Sequence, residues 1–172
     1  MASPAKMQEQ VLEINLISAQ GLQPPSSPRQ RLQTYALTWI DPSTKLRTRV
    51  DNVGGHNPTW NDKFLASDTS GISVAIYAVG TFRLIGTVRF LIGNILSSPA
   101  DPDAARTPCF SAVQILRSSG RFHDVMNIGA MVVEASDFPA LHKISAIGYR
   151  DLMGMKIKHH RRKRNRSPRR RR

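Results

Sequence analysis

The sequence predicts an all-β protein: an eight-stranded antiparallel β-sandwich, followed by a short helix and a disordered basic tail. Three observations carry this. Eight short runs have the alternation or the residue types of strands, with little helical periodicity between them. The gaps between runs are filled with Pro, Gly, Asn, Asp and Ser, the residues of turns. From Lys156 onward the composition collapses to KIKHHRRKRNRSPRRRR, in which no core is possible.

The runs follow in order. VLEINLISA (Val11–Ala19) sets Leu12, Ile14 and Leu16 on one face and Glu13 and Asn15 on the other. TYALTWI (Thr34–Ile40), KLRTRV (Lys45–Val50), a weaker Trp60–Leu65 and ISVAIYAV (Ile72–Val79) come next. RLIGTVRFLI (Arg83–Ile92), FSAVQILR (Phe110–Arg117) and VMNIGAMVVE (Val125–Glu134) complete the set. QPPSSPRQ, DPST, NVGGHNP, SDTSG, SSPADPDAARTP and RSSGR punctuate them. Many short strands with frequent turns favour two packed antiparallel layers. Over Phe138–Met153, Leu141, Ile144, Ile147 and Leu152 fall roughly on one side of a helix that Gly148 weakens. The expected organisation is a flexible N-terminus (1–7), the sandwich (8–135), a C-terminal extension that forms the helix (136–155) and the tail (156–172).

Charge separates the body from the tail. The 172 residues carry a net charge of +13, and 40% of them are hydrophobic, enough for an aliphatic core. Eleven of the 25 Lys and Arg lie from Lys156 on, with no acid among them; the remaining 14 face 12 Asp and Glu. The body is nearly neutral. The one cysteine, Cys109, excludes an intramolecular disulfide and reads as a structural thiol in a reducing compartment. MASPAKMQEQ lacks the apolar centre of a secretory signal, and no stretch approaches the ~20 apolar residues that span a bilayer. Contact with a membrane is therefore expected at its surface, on the cytosolic side.

The order VLEINLISAQGL, TYALTWI, NPTWNDKF, ISVAIYAVG and LIGTVRFLIGNIL resembles the C2 domain. That is the lipid-binding sandwich of protein kinase C and the synaptotagmins. RSSGRFHDVMNIGAMVVE resembles the final strand pair, so the likeness covers about residues 8–135. The small single-domain plant members of cold-response and cell-death-suppressor type are the nearer likeness, and they imply stress, defence or trafficking signalling. The most specific piece, NPTWNDKF (Asn57–Phe64), matches the family's Asn-Pro-x-Trp-Asn-Glu-x-Phe. Its roles are structural. Pro58 holds Asn57 extended, Trp60 plugs the core, and Asp62 stands for the family's Glu.

Calcium-binding relatives hold the metal with about five carboxylates from two loops, and the resemblance places those positions here on non-acidic residues. Gln33 stands at one, Ala78, Val79 and Gly80 at the next group, and the last pair falls near Phe82 and Arg83. Ca²⁺ takes six to eight oxygens, several of them charged, and Arg29, Arg31 and Arg83 would repel it. No calcium or other cofactor is expected, and Asp41 reads as a turn former. Docking on anionic lipid would fall instead to Lys45, Arg47 and Arg49, which alternate along one strand face and suit phosphate, joined by Arg29 and Arg31 of the first loop; the competing reading of the strand is a charged edge that resists aggregation. Val79 and Phe82 either enter a membrane interface beside Arg83 or fold back on the sandwich.

The tail comprises Lys156, Lys158, Arg161, Arg162, Lys163, Arg164, Arg166, Arg169, Arg170, Arg171 and Arg172. Each cation contributes ~1 kcal/mol near an anionic leaflet. The same charges would bind nucleic acid through phosphate without reading sequence, and RRKR (Arg161–Arg164) resembles a nuclear import signal. Ser167, in RNRSPRR, is a phosphorylation candidate that would subtract charge. His56, His123, His142, His159 and His160 show no catalytic or metal-ligand spacing, and no catalytic motif occurs. The expected function is a non-enzymatic, calcium-independent peripheral membrane adaptor with anionic lipid and protein partners. The alternative is a nuclear or nucleic-acid-associated interaction module.

Overall fold

Alternation along the strands places their apolar residues in the interior of a sandwich. The computed structural model describes residues 10–23, 31–67, 71–80, 82–96, 106–139, 141 and 145–154. Among these the chain forms β1 (Gln10–Gln20), β2 (Thr34–Trp39), β3 (Leu46–Arg47), β4 (Thr59–Ala66) and β5 (Gly71–Ala78). β6 (Leu84–Leu91), β7 (Cys109–Arg117), β8 (Phe122–Glu134) and β9 (Ala146–Gly148) follow. All neighbours are antiparallel, in the order β3-β2-β5-β6-β7-β8-β1-β4-β9. The sheet folds over between β6 and β7, which share only the pairs Gly86↔Arg117 and Thr87↔Leu116. The result is a nearly closed two-layer sandwich. Between the layers lie Leu12, Ile14 and Leu16 of β1, Val74 and Ile76 of β5, Ile115 of β7 and Ile128 of β8.

Trp60 fills the core at 2% exposure and donates its indole N–H to the Thr34 carbonyl at 3.2 Å, tying β4 to β2. This satisfies the one polar atom of a large buried ring. Asp51 organises the NVGGHNP turn: its carboxylate accepts from the N–H groups of Val53, Gly54 and Thr59. Burial works against its charge, but those donors and the nearby Arg31 outweigh it and hold the carboxyl below its ordinary range.

Two expectations change. KLRTRV is a regular strand only at Leu46–Arg47: the buried Thr48 hydroxyl takes the Ala36 N–H in place of a backbone carbonyl and interrupts the ladder, although the Thr48 N–H still donates to the Ala36 carbonyl. The helix expected over 138–153 is helical only at 149–154, here α1. Before it come a 3-10 turn at Ala135–Asp137 and the unexpected ninth strand, whose Ala146, Ile147 and Gly148 pair with Ala66, Leu65 and Phe64. The open β4 edge supplies backbone partners that an isolated helix containing Gly148 would lack. Leu141, Ile147 and Leu152 are buried as helical spacing suggests, but against Val11 and Leu65 on the outer face of the sheet. Ile144 lies outside the described residues. This cover also buries Glu13, which forms a 2.8 Å ion pair with Lys63. Burial and the Glu13 carboxylate together raise the Tyr149 hydroxyl above its usual pKa.

Candidate functional site

Strand directions gather four turns at one end of the sandwich. β1 runs into the first turn and β2 leaves it; Thr34, at the start of β2, pairs with Ala78 on one side and Asp51 on the other. The Val79 N–H donates to the Gln33 carbonyl at 2.9 Å, and the Leu22 N–H to the His56 carbonyl at 2.9 Å. At the β7–β8 turn, Arg117 forms an ion pair with Asp124, a carboxylate 1% exposed, and reaches Gln23 at 3.5 Å. Burial would raise the Asp124 carboxyl, but Arg117 and His123 hold it below the ordinary carboxylate range.

Several apolar and basic side chains stand exposed among the polar residues of these turns. Phe82 is 72% exposed and Val53 69%, and Val79, Leu84 and Phe122 are exposed as well. Phe82 stands out from the sandwich rather than folding back on it, with φ at +50°. That left-handed conformation is uncommon for a bulky side chain. Arg31, Arg83 and Arg121 are exposed at the same end. Residues 31–33 and 78–83 contribute no carboxylate. Of the acids near this end, the half-buried Asp51 accepts from backbone N–H groups and the buried Asp124 from Arg117. No group of three or more His, Cys, Asp or Glu is arranged to hold a metal among the described residues.

A second surface is the outward face of β3, β2, β5 and β6. In β2, Thr34, Ala36 and Thr38 point inward, so Tyr35, Leu37 and Trp39 point out. The Lys45 ammonium lies 4.7 Å from the Trp39 ring centre, and the Arg47 guanidinium 3.9 Å from that of Tyr35. Tyr35 in turn stacks on Tyr77, its partner across the strands, at 5.6 Å. Both cations are exposed, so each is held by an aromatic face while its charge remains in solvent. Arg89 joins them through its pairing with Ser73, which pairs with Trp39. Sequence reading missed Arg89 and Val53; the inward Val88 and Phe90 were the available signal for Arg89, and nothing local marked Val53.

Arg49 departs from the row. Its backbone N–H donates to Asp62 at 2.6 Å and its side chain approaches the same carboxylate at 3.5 Å. Arg150 of α1 reaches that carboxylate at 3.2 Å, so Asp62 has the structural role expected of it. Asp41 caps its turn by accepting from the Ser43 N–H at 2.9 Å. Arg29, His142, His159, His160, Ser167 and every cation of the tail from Lys156 lie outside the described residues.

A C2 domain family model matches residues 10–104. The chain belongs to the C2 domain family. Among solved C2 domains it is similar to the C2A domain of a plant extended synaptotagmin 1, with a TM-score of 0.59, 13% identity, and 75% of this chain and 98% of that one covered. It is also similar to a C2 domain-containing protein from a putative elicitor-responsive gene, with a TM-score of 0.53, 16% identity, and coverage of 78% and 96%. Human GIVD cytosolic phospholipase A2 aligns at a TM-score of 0.58 and 14% identity over 75% of this chain, which spans only 17% of that enzyme. Extended synaptotagmin 2 is matched over 28% of its SMP–C2A–C2B chain. A search of curated proteins finds no match. No helix among the described residues is long and apolar enough to cross a membrane.

Proposed function

We propose that this C2 domain is a calcium-independent module that docks on anionic phospholipid at the cytosolic face of a membrane and acts as an adaptor rather than an enzyme. The observation that carries the reading is the outward β3-β2-β5-β6 face, where Lys45 and Arg47 rest on Trp39 and Tyr35. A guanidinium and an ammonium held in place, with Arg89 beside them, can meet phosphate groups at little entropic cost. Val79 and Phe82, with Val53, offer apolar tips for the interface, and Arg31 and Arg83 offer charge for head groups. The donor set at this end does not fit calcium: Gln33, Ala78, Gly80 and Arg83 supply none of the carboxylates that a hard divalent ion needs. The tail from Lys156 adds attraction without specificity. Likeness to the protein from an elicitor-responsive gene supports a role in plant stress or defence signalling.

The test is co-sedimentation with phosphatidylserine and phosphoinositide vesicles, with and without calcium, for the full chain and for a truncation before Lys156. Equal binding by the full chain in calcium and in chelator, with weaker but measurable binding by the truncation, is expected. A requirement for calcium would overturn the reading of the loops. Failure of both proteins to sediment would favour a nuclear or nucleic-acid role for the tail.

A further inference from the structure

β6 and β7 run together at one end of the sandwich and then part. Beyond Thr87↔Leu116, β6 continues along β5 as far as Leu91, while β7 follows β8 from Ile115 back to Cys109. Over that length β7 has no strand on its other side among the described residues. The Leu116 carbonyl abuts Gly86, so the Leu116 backbone faces β6. Arg117 points the other way, donating its N–H to the Arg121 carbonyl at 3.0 Å. Period-two alternation therefore carries the N–H and C=O groups of Gln114, Ala112 and Phe110 to the unpaired side. The side chains agree. Cys109, Ser111 and Val113 alternate with them yet are only half-buried, whereas Ile115, level with β6, is fully buried. Phe110, Ala112 and Gln114 are exposed on the outer face, Phe110 at 71%. Native sheets guard such edges with charge, Pro or brevity. β3 has two residues, one of them Arg47; β9 has three; and the free stretch of β6 carries Arg89. CFSAVQIL (Cys109–Leu116) carries no charge and no Pro. It is the unguarded edge.

We infer that the β7 edge is an interface for a second copy of this chain, formed by antiparallel pairing of β7 with β7 about a two-fold axis at Ala112. Phe110, Ala112 and Gln114 of one copy exchange about six backbone hydrogen bonds with Gln114, Ala112 and Phe110 of the other. Charge is what fits the edge to its own copy. Antiparallel pairing of identical strands sets each charge near the axis against its like, which is destabilising. From Cys109 to Leu116 there is no charge, and the first one, Arg117, falls opposite Thr107. Ala112, the smallest side chain of the strand, lies on the axis. A two-fold contact uses both free edges and closes at two copies, so the unguarded strand does not propagate into larger assemblies. One strand pair is a small interface, which places the association in the transient class. The inference is independent of the membrane reading above.

The test is sedimentation equilibrium of the full chain without lipid, from low to high micromolar concentration. The mass should rise from one chain toward two. Ala112→Lys, which sets two ammonium groups opposite each other, should weaken the dimer at least about tenfold. Ala112→Pro removes only the outward N–H, a loss that an edge strand tolerates. It should abolish the dimer while thermal unfolding shows an intact monomer. Hydrogen exchange of the unaltered chain needs no variant: the amides of Phe110, Ala112 and Gln114 should slow as concentration rises, and those of β3 should not. A mass that stays at one chain overturns the inference, as does a dimer that survives both substitutions. Loss of the fold in Ala112→Pro places that N–H in the β8 ladder and overturns the geometry. Slow exchange of the three amides at the lowest concentration shows that the same chain covers the edge, and overturns the second copy. Protection that appears only when another protein is added does the same in favour of that protein.

Discussion

Phe82 and Asp124 are unusual residues with different physical justifications. Phe82 occupies the left-handed region at φ +50° with its ring in solvent, so the fold gains little from it. Strain kept at an exposed apolar tip suits a residue selected for what it touches outside the molecule. Asn tolerates this backbone better, so Phe82→Asn should leave thermal stability unchanged or slightly raised. The same change should weaken vesicle binding about tenfold, in line with the ~1.5 kcal/mol or more carried by a buried aromatic side chain. A parallel loss of stability and binding would show that Phe82 belongs to the fold. Asp124 is the reverse case, a buried carboxylate that Arg117 keeps charged. Its pKa is lowered in the folded state, so its contribution is fully present above the ordinary carboxylate value of about 4 and is lost as pH falls through the folded one. Asp124→Asn should cost about 3 kcal/mol at neutral pH, and chemical denaturation near pH 3 should show that cost shrinking.

At the scale of elements, the core strands follow from alternation, but the C-terminal extension does not. Val11 and Leu65 point away from the main core and would face water without the cover of Leu141, Ile147 and Leu152. Ile147→Ala should therefore cost about 2 kcal/mol. It should also speed hydrogen exchange at the β4 edge around Leu65, its partner in the ladder, while β5 exchange is unchanged. Uniform protection loss across both strands would argue against the extension as a separately attached layer. β3 makes the complementary point. Six residues of strand composition yield two of strand, since Thr48 turns inward and Arg49 is drawn to Asp62.

At the scale of the whole molecule, charge is divided between a nearly neutral body and a tail of eleven cations. Binding to anionic vesicles should fall steeply with salt for the full chain and more gently for the truncation before Lys156, as screening predicts. Ser167→Asp should loosen the full chain from vesicles while leaving the truncation's behaviour as the lower limit. An unchanged affinity would remove Ser167 as a charge switch. The C2 architecture was legible in one dimension because strand alternation, turn chemistry and NPTWNDKF are local patterns that burial enforces residue by residue. That Gln33, Ala78 and Gly80 carry no carboxylate is read from residue type alone and needs no geometry. The aromatic seats under Lys45 and Arg47, the recruitment of Arg89, the exposure of Val53 and Phe82, and the pairing of Arg49 and Arg150 with Asp62 had to await the fold. The pairings depend on side chains meeting between strands, which register and not composition sets, and the two exposures depend on what packs over a turn.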